Sequence, residues 1–430
     1  MEIHGSRQAR ARDVGAGLPA ADGCRRQGQV SYNGGFQVIA VPMRVVFNGR
    51  FLTQVQTGVQ RYAAETLRAL DGLLAADAGL REQFDFVLAV PAGATTPLLP
   101  LRHVRVVALG GGSGHWWEQG ALWWFSRGAY LVNFNYSGPL LKRQQLVTVH
   151  DATVRAMPGS FTRSYRWVHN LMVAVLGRTA RDLMTVSAFS RDELARWFGL
   201  TRQDILVGRE GGEQAVLAAD DAAVLKRHGL QAGRYILGVG SVKPNKNFGL
   251  LGRAMGLLPG YPWPVALAGA RDISIFNDDT VLPDSFRFLG FVPDAELSAL
   301  YRHAAWFVFP SLYEGFGLPA IEAMAHGCPV LAARAASIPE VCGNAALYFD
   351  PHSVADLAGL LQRVLNEPQL RDDLLAQAPQ QLQRYNWRAN AQILLEHLQR
   401  RLRFASASRV QVDGVAPAAP VATAPPTLRT

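Results

Sequence analysis

Along the chain, short and almost uninterrupted apolar runs alternate with longer stretches in which apolar residues recur every three or four positions. Runs of the first kind read as strands buried on both faces, and stretches of the second kind as helices that cover them. The first half predicts strands at residues 44–48, 85–90, 104–109, 130–134, 146–150 and 183–186, and the second half repeats the theme at 235–239, 265–268, 286–289, 306–309, 330–332 and 346–349. Such alternation builds parallel sheets with crossover helices, so the expected class is α/β with two doubly wound, Rossmann-like units. Ligands of these sheets lie beyond the carboxyl ends of the strands, which puts the site in a cleft between two facing units. No period of roughly 20 to 50 residues recurs, which excludes a solenoid.

The pattern fails at both ends. Residues 1–42 are rich in Gly, Arg and Gln, lack an apolar stretch of signal-peptide length, and read as a disordered extension. Met43 stands directly before the strand-like MRVVFN and reads as an alternative start. Residues 405–430 are rich in Ala, Pro and Val and read as an extended, disordered tail. Gly208, Gly211 and Gly212 open a weakly periodic stretch, reaching about residue 221, that is expected to link the units. The expected division is an N-terminal domain at 43–208 and a C-terminal domain at 209–404 that includes the terminal helices.

With 430 residues, 49% of them apolar, the chain can bury a large core. Its 43 Lys and Arg against 34 Asp and Glu suit an anionic ligand or an anionic membrane surface. No basic run interleaved with aromatics marks a nucleic-acid binder. Cys24, Cys328 and Cys342 show neither C-x-x-C spacing nor an even-numbered framework, so neither a disulfide scaffold nor a zinc site is expected, and a reducing cytoplasm fits best. No stretch approaches the roughly 18 apolar residues of a membrane-spanning helix.

The most informative segment is WFVFPSLYEGFGLPAIEAMAHGCPVLA, at residues 306–332. A strand runs into a loop carrying Glu314, Gly315, Phe316 and Gly317, and a helix begins with Pro319 near its first position and stops at Gly327, with Pro329 beyond. A glycine loop feeding a helix start presents free N–H groups and the positive end of a helix dipole, which suits a pyrophosphate. Glu314 and Glu322 can flank one ligand there and grip the hydroxyls of a sugar and a ribose. In the first half, His150 and Asp151 end a strand where the cleft should open, and Gly58 lies in the first strand-to-helix turn, serving either a close-approaching substrate or simple chain reversal. Ser187 and Ser190 sit where capping alone would explain a serine. Four tryptophans at 116, 117, 123 and 124 either pack into the core, stack on an acceptor sugar, or rest on a lipid interface. EGGEQ at 210–214 receives no role.

The run SLYEGFGLPAIEAMAHGCPVLA resembles the donor-site signature of family-4 retaining glycosyltransferases of the GT-B fold, down to seven residues between the two glutamates. GSVKPNKN, FLGFVPDAELSALY, IPEVCGNAALYFDP, TGVQRY, VHD and VSAFSRDEL agree in order, so that the likeness covers roughly residues 43–402. It implies an N-terminal acceptor domain and a C-terminal nucleotide-sugar donor domain. Glu314 would hold hydroxyls of the transferred sugar and Glu322 the ribose, with the amides of Gly315, Phe316, Gly317 and Leu318 on the distal phosphate. Lys246 would lie on the pyrophosphate, where it stabilises leaving-group charge. Family members carry an arginine beside that lysine or after the first glycine; here those positions are Asn245 and Ser241, and Lys243 is the candidate second cation. His150 would lie close to the donor sugar.

The reaction implied is hexosyl transfer to a glycan or lipid-linked glycan with retained anomeric configuration, in cell-surface polysaccharide assembly at the cytoplasmic side, possible membrane contact included. No D-x-D-like site emerges, so metal independence and the absence of any cofactor are expected. Sugar and base are not readable; GDP-mannose stands first, then UDP and dTDP sugars. An epimerase or glycoside phosphorylase of the same fold, or a binding protein without turnover, are the alternatives.

Overall fold

The computed structural model describes residues 29–31, 37–39, 42–94, 99–213, 221–241, 243–269 and 285–413, and side chains only within 42–403. Two compact units result, 1–42 and 43–430. Within the first, β1 (Gln29–Ser31) pairs antiparallel with β2 (Gln37–Ile39), which corrects the expectation of a featureless extension for those six residues. Cys24 and the rest of that extension lie outside the described residues, as do residues 414–430 of the expected tail.

The second unit contains two parallel sheets. The first is made of β3 (Met43–Asn48), β4 (Phe84–Pro91), β5 (Arg105–Leu109), β6 (Tyr130–Asn133), β7 (Gln145–Thr148), β8 (Asp182–Thr185) and β9 (Ile205–Val207), in the order β5-β4-β3-β6-β7-β8-β9. The second, of β10 (Ile236–Val239), β11 (Val265–Ala268), β12 (Phe286–Gly290), β13 (Trp306–Phe309), β14 (Val330–Ala333) and β15 (Ala346–Phe349), runs β12-β11-β10-β13-β14-β15. Both orders reverse beside the first strand of their sheet, the switch point at which doubly wound sheets open a ligand crevice. All twelve strands expected from the apolar runs are present. The three-residue β9 was not, because ILV is too short a run to stand out.

Two features depart from the expected division. The last helix, Trp387–Asp413, extends into the stretch expected to be a disordered tail from 405. It also returns to the first lobe. Asn390 Nδ2 donates to Thr66 Oγ1 at 2.8 Å, and Arg401 and His397 flank the buried Asp182, which also accepts from Tyr130 Oη at 2.5 Å. The crossing segment is no solvated linker at its start. Gly208, Gly211 and Gly212 are buried, and a Cβ on Gly212 would stand 2.9 Å from the Ile321 carbonyl. Only glycine lets that strand of backbone lie so close to the helix Leu318–Ala325.

Candidate functional site

β13 delivers the chain into the loop 310–317, and Gly317, at φ 108°, turns it into the helix Leu318–Ala325 with Pro319 in its first turn. Serines from both lobes fix the carbonyls of this loop. Ser187 Oγ and Ser190 Oγ donate to the Gly315 carbonyl at 2.6 and 2.9 Å, and Ser337 Oγ lies 2.9 Å from the Glu314 carbonyl and 2.8 Å from that of Phe316. In a trans peptide plane the N–H points opposite the C=O, so the amides of Gly315, Phe316 and Gly317 are turned away from these serines. Among the described residues, none of these amides, nor that of Leu318, has a backbone or side-chain acceptor. Four donors in a row at a helix start make an anion cradle.

The loop also touches the first lobe. A Cβ on Gly315 would stand 2.8 Å from both the His150 carbonyl and Asp151 Cβ, so glycine here is required by contact across the cleft. Ser187 caps its own helix, Ala188–Phe198, by accepting from the Ser190 amide at 2.9 Å, while Glu340 of the second lobe accepts from the Ala188 and Phe189 amides at 2.8 and 2.9 Å. The VSAFS segment is thus more than a cap: it is a seam between lobes.

Lys246 lies in the short turn Pro244–Lys246 after β10, and its Nζ meets Glu314 Oε1 at 2.6 Å. It is largely buried against this partner, with its Nζ 5.8 Å from the centre of the Phe309 ring. Ser241 is half-buried in the same stretch, and Lys243 is exposed with Nζ 5.5 Å from the centre of the Phe161 ring of the first lobe. Asn245, at the position of the family's arginine, is buried; its carbonyl accepts from the Leu312 amide at 2.8 Å and its Nδ2 donates to the Tyr313 carbonyl at 3.4 Å. It therefore holds the loop rather than supplying charge.

Glu322 is buried one turn inside the helix. Tyr301 Oη donates to it at 3.3 Å and Arg61, from the first lobe, lies 3.9 Å away while pairing with Asp294 at 2.6 Å. Both glutamates thus have protein partners, Glu322 more deeply than its expected role on a ribose requires. Phe316 and Leu318 are buried, Phe316 edge-on to Tyr385, so these two contribute backbone rather than side chain. Gly58 opens the helix Gly58–Ala76 on an exposed edge, and a Cβ there would meet nothing within 4 Å, so packing does not demand glycine.

His150 stands two residues beyond the end of β7, with its Nε2 3.0 Å from the Phe134 carbonyl and its Nδ1 3.6 Å from Glu210 Oε1. Both ring nitrogens therefore face protein groups. Burial alone would lower the imidazole; Glu210, the Phe134 carbonyl and Asp151 outweigh it and hold the group above its ordinary value of 6.5. Burial raises the Glu210 carboxyl, against the opposing effect of His150. Glu210 had no role from sequence, and only its place beside three glycines hinted that the backbone there is pressed into the interior. Nearby in the first lobe, Asn48, Arg50, Gln54, Glu118 and Asn135 line a concavity in which Arg50 Nε donates to the buried Glu118 at 3.0 Å.

Residues 224–381 match the family described as Glycosyl transferases group 1. O-antigen chain mannosyltransferase B of Escherichia coli is 31% identical over 268 residues, which cover 59% of this chain and 69% of that protein. Sucrose-phosphate synthase from Thermosynechococcus elongatus shares the fold with a TM-score of 0.65 at 21% identity, over 84% of this chain and 100% of that one. Anabaena HepE in complex with UDP and glucose does so at 0.62 and 18%, over 83% and 99%. Sequence likeness, two facing Rossmann-like lobes and a glycine loop at the helix start agree, and the chain belongs to the group 1 glycosyltransferase family on the GT-B fold.

Proposed function

We propose that this glycosyltransferase moves a hexose, mannose from GDP-mannose first, onto a glycan or lipid-linked glycan in cell-surface polysaccharide assembly, at the cytoplasmic face of the membrane and with retained configuration. The donor's distal phosphate lies in the amide cradle of Gly315 to Leu318, and Lys246 neutralises charge as the nucleoside diphosphate departs. Glu314 holds sugar hydroxyls, Glu322 the ribose once Arg61 yields it, and Lys243 and Ser241 complete the phosphate contacts. His150, whose charged form Glu210 favours, stands on the opposite wall, and the concavity at Glu118 and Arg50 takes the acceptor. With amides and lysine facing the diphosphate, no metal is needed. The observation that carries this reading is the row of four acceptor-free amides beside Lys246. The mannosyltransferase relative supports the choice of sugar.

The test is transfer from GDP-mannose to a mannosyl acceptor, with the anomeric proton of the first product followed by NMR, with and without EDTA. An α product at an unchanged rate in EDTA is expected. A β product, or a rate abolished by EDTA, would refute the route. Free sugar released without acceptor would point to the epimerase alternative, and dependence on inorganic phosphate to the phosphorylase.

A further inference from the structure

The first lobe carries an outer layer that the donor site does not use. Cα partners in parallel strands project to the same side, and Val46 pairs with Leu131, Asn133 with Val147. Val46 and Leu131 pack under Trp117 and Leu122, while Val147 packs under Met172, Val173 and Leu176. The helical segment 114–125 and the helix Arg163–Thr179 therefore cover one face of the sheet. Residues 136–143 join them: Gln119 bonds the Gly138 carbonyl and the Leu140 amide, Lys142 Nζ donates to the Ser126 and Ala129 carbonyls, and the Tyr136 ring lies 4.3 Å from that of His169.

On the solvent side of this layer stand Trp116 (84% exposed), Trp124 (66%), Leu141 (83%) and Trp167 (68%), with Leu171 half-exposed. Soluble surfaces seldom gather so many large apolar groups. Charge is biased as well: residues 114–179, which span this layer, contain seven Lys and Arg and two acids, the buried Glu118 and Asp151 at the cleft, a net +5 of the chain's +9. Of these, Arg127, Arg143, Arg163 and Arg178 are exposed, and the Arg127 guanidinium lies over the Trp124 ring at 4.5 Å. Indoles beside arginines match a boundary of acyl chains below and phosphate headgroups above.

We infer that this face docks the protein on an anionic lipid bilayer, Trp116, Trp124, Leu141 and Trp167 entering the headgroup boundary and the arginines meeting lipid phosphates. The inference deepens the reading of a lipid-linked acceptor and rests on it only there. Glu118, which lines the acceptor concavity, belongs to the same short helical segment as Trp116 and Trp124.

The test is sedimentation of the full chain with phosphatidylcholine vesicles, with or without about a quarter phosphatidylglycerol, in about 0.1 M salt. Binding is expected only with phosphatidylglycerol and is expected to weaken as salt rises. Arg143→Glu with Arg163→Glu should lower the partition coefficient by roughly fivefold per arginine, and Trp124→Ser with Trp167→Ser at least tenfold. Arg68→Glu with Arg400→Glu, on the opposite face, should bind as wild type. All variants should keep the wild-type thermal shift with GDP, which shows that they fold and separates this test from that of the donor site. Wild-type protein that stays in the supernatant with anionic vesicles, or layer variants that bind like wild type, would overturn the docking face; the first result would send the patch to an acidic protein partner instead.

Discussion

Glu314 and Lys246, both assigned to the donor, also bind each other at 2.6 Å with little exposure to water. Removing one member of a buried pair strands the other. Glu314→Gln should therefore leave Lys246 seeking an anion: GDP should bind severalfold more tightly by calorimetry, while transfer falls at least a hundredfold. The His150–Glu210 pair gives a pH signature. Because the folded imidazole is held above 6.5, its contribution to stability is full below that pH and is lost as pH rises through the raised value. Melting curves from pH 6 upward should show wild-type Tm falling with pH and Glu210→Gln nearly flat, with transfer by the variant lost first on the alkaline side; identical profiles would remove the pairing. Glu314, Gly315 and Gly317 were legible because a loop feeding a helix is a local pattern. Glu210, Ser337 and Glu340 were not, since each acts on atoms far away in the sequence.

At the scale of elements, uninterrupted apolar runs announced the strands, because a strand buried on both faces must be apolar at every position. Where the last helix goes is another matter: its apolar stripe says that it packs, and not against what. Its anchor is Asp182. Burial opposes ionisation of this carboxyl, but His397, Arg401 and Tyr130 pull it down to about 2. A lowered carboxylate stabilises above its ordinary value of 3.8 and loses that contribution as pH falls toward 2. Asp182→Asn should cost about 3 kcal/mol at neutral pH, seen as a Tm lower by roughly 5 °C. The difference from wild type should shrink below pH 4. A Tm unchanged at pH 7 would mean that the helix docks without this carboxylate.

For the whole molecule, the two Rossmann-like lobes expected from sequence meet through contacts that no local pattern announces. Gly315 lies against His150, Glu340 caps the helix Ala188–Phe198, and Arg61 reaches Asp294 and Glu322. These contacts bring the amide cradle and Lys246 to face the first lobe, and the proposed chemistry depends on a diphosphate held there. Calorimetric titration of GDP into wild type and Lys246→Ala tests this most directly. Binding at least tenfold weaker in the variant, with an unchanged fold, is predicted; equal affinity in the two proteins would contradict the assignment of the cradle.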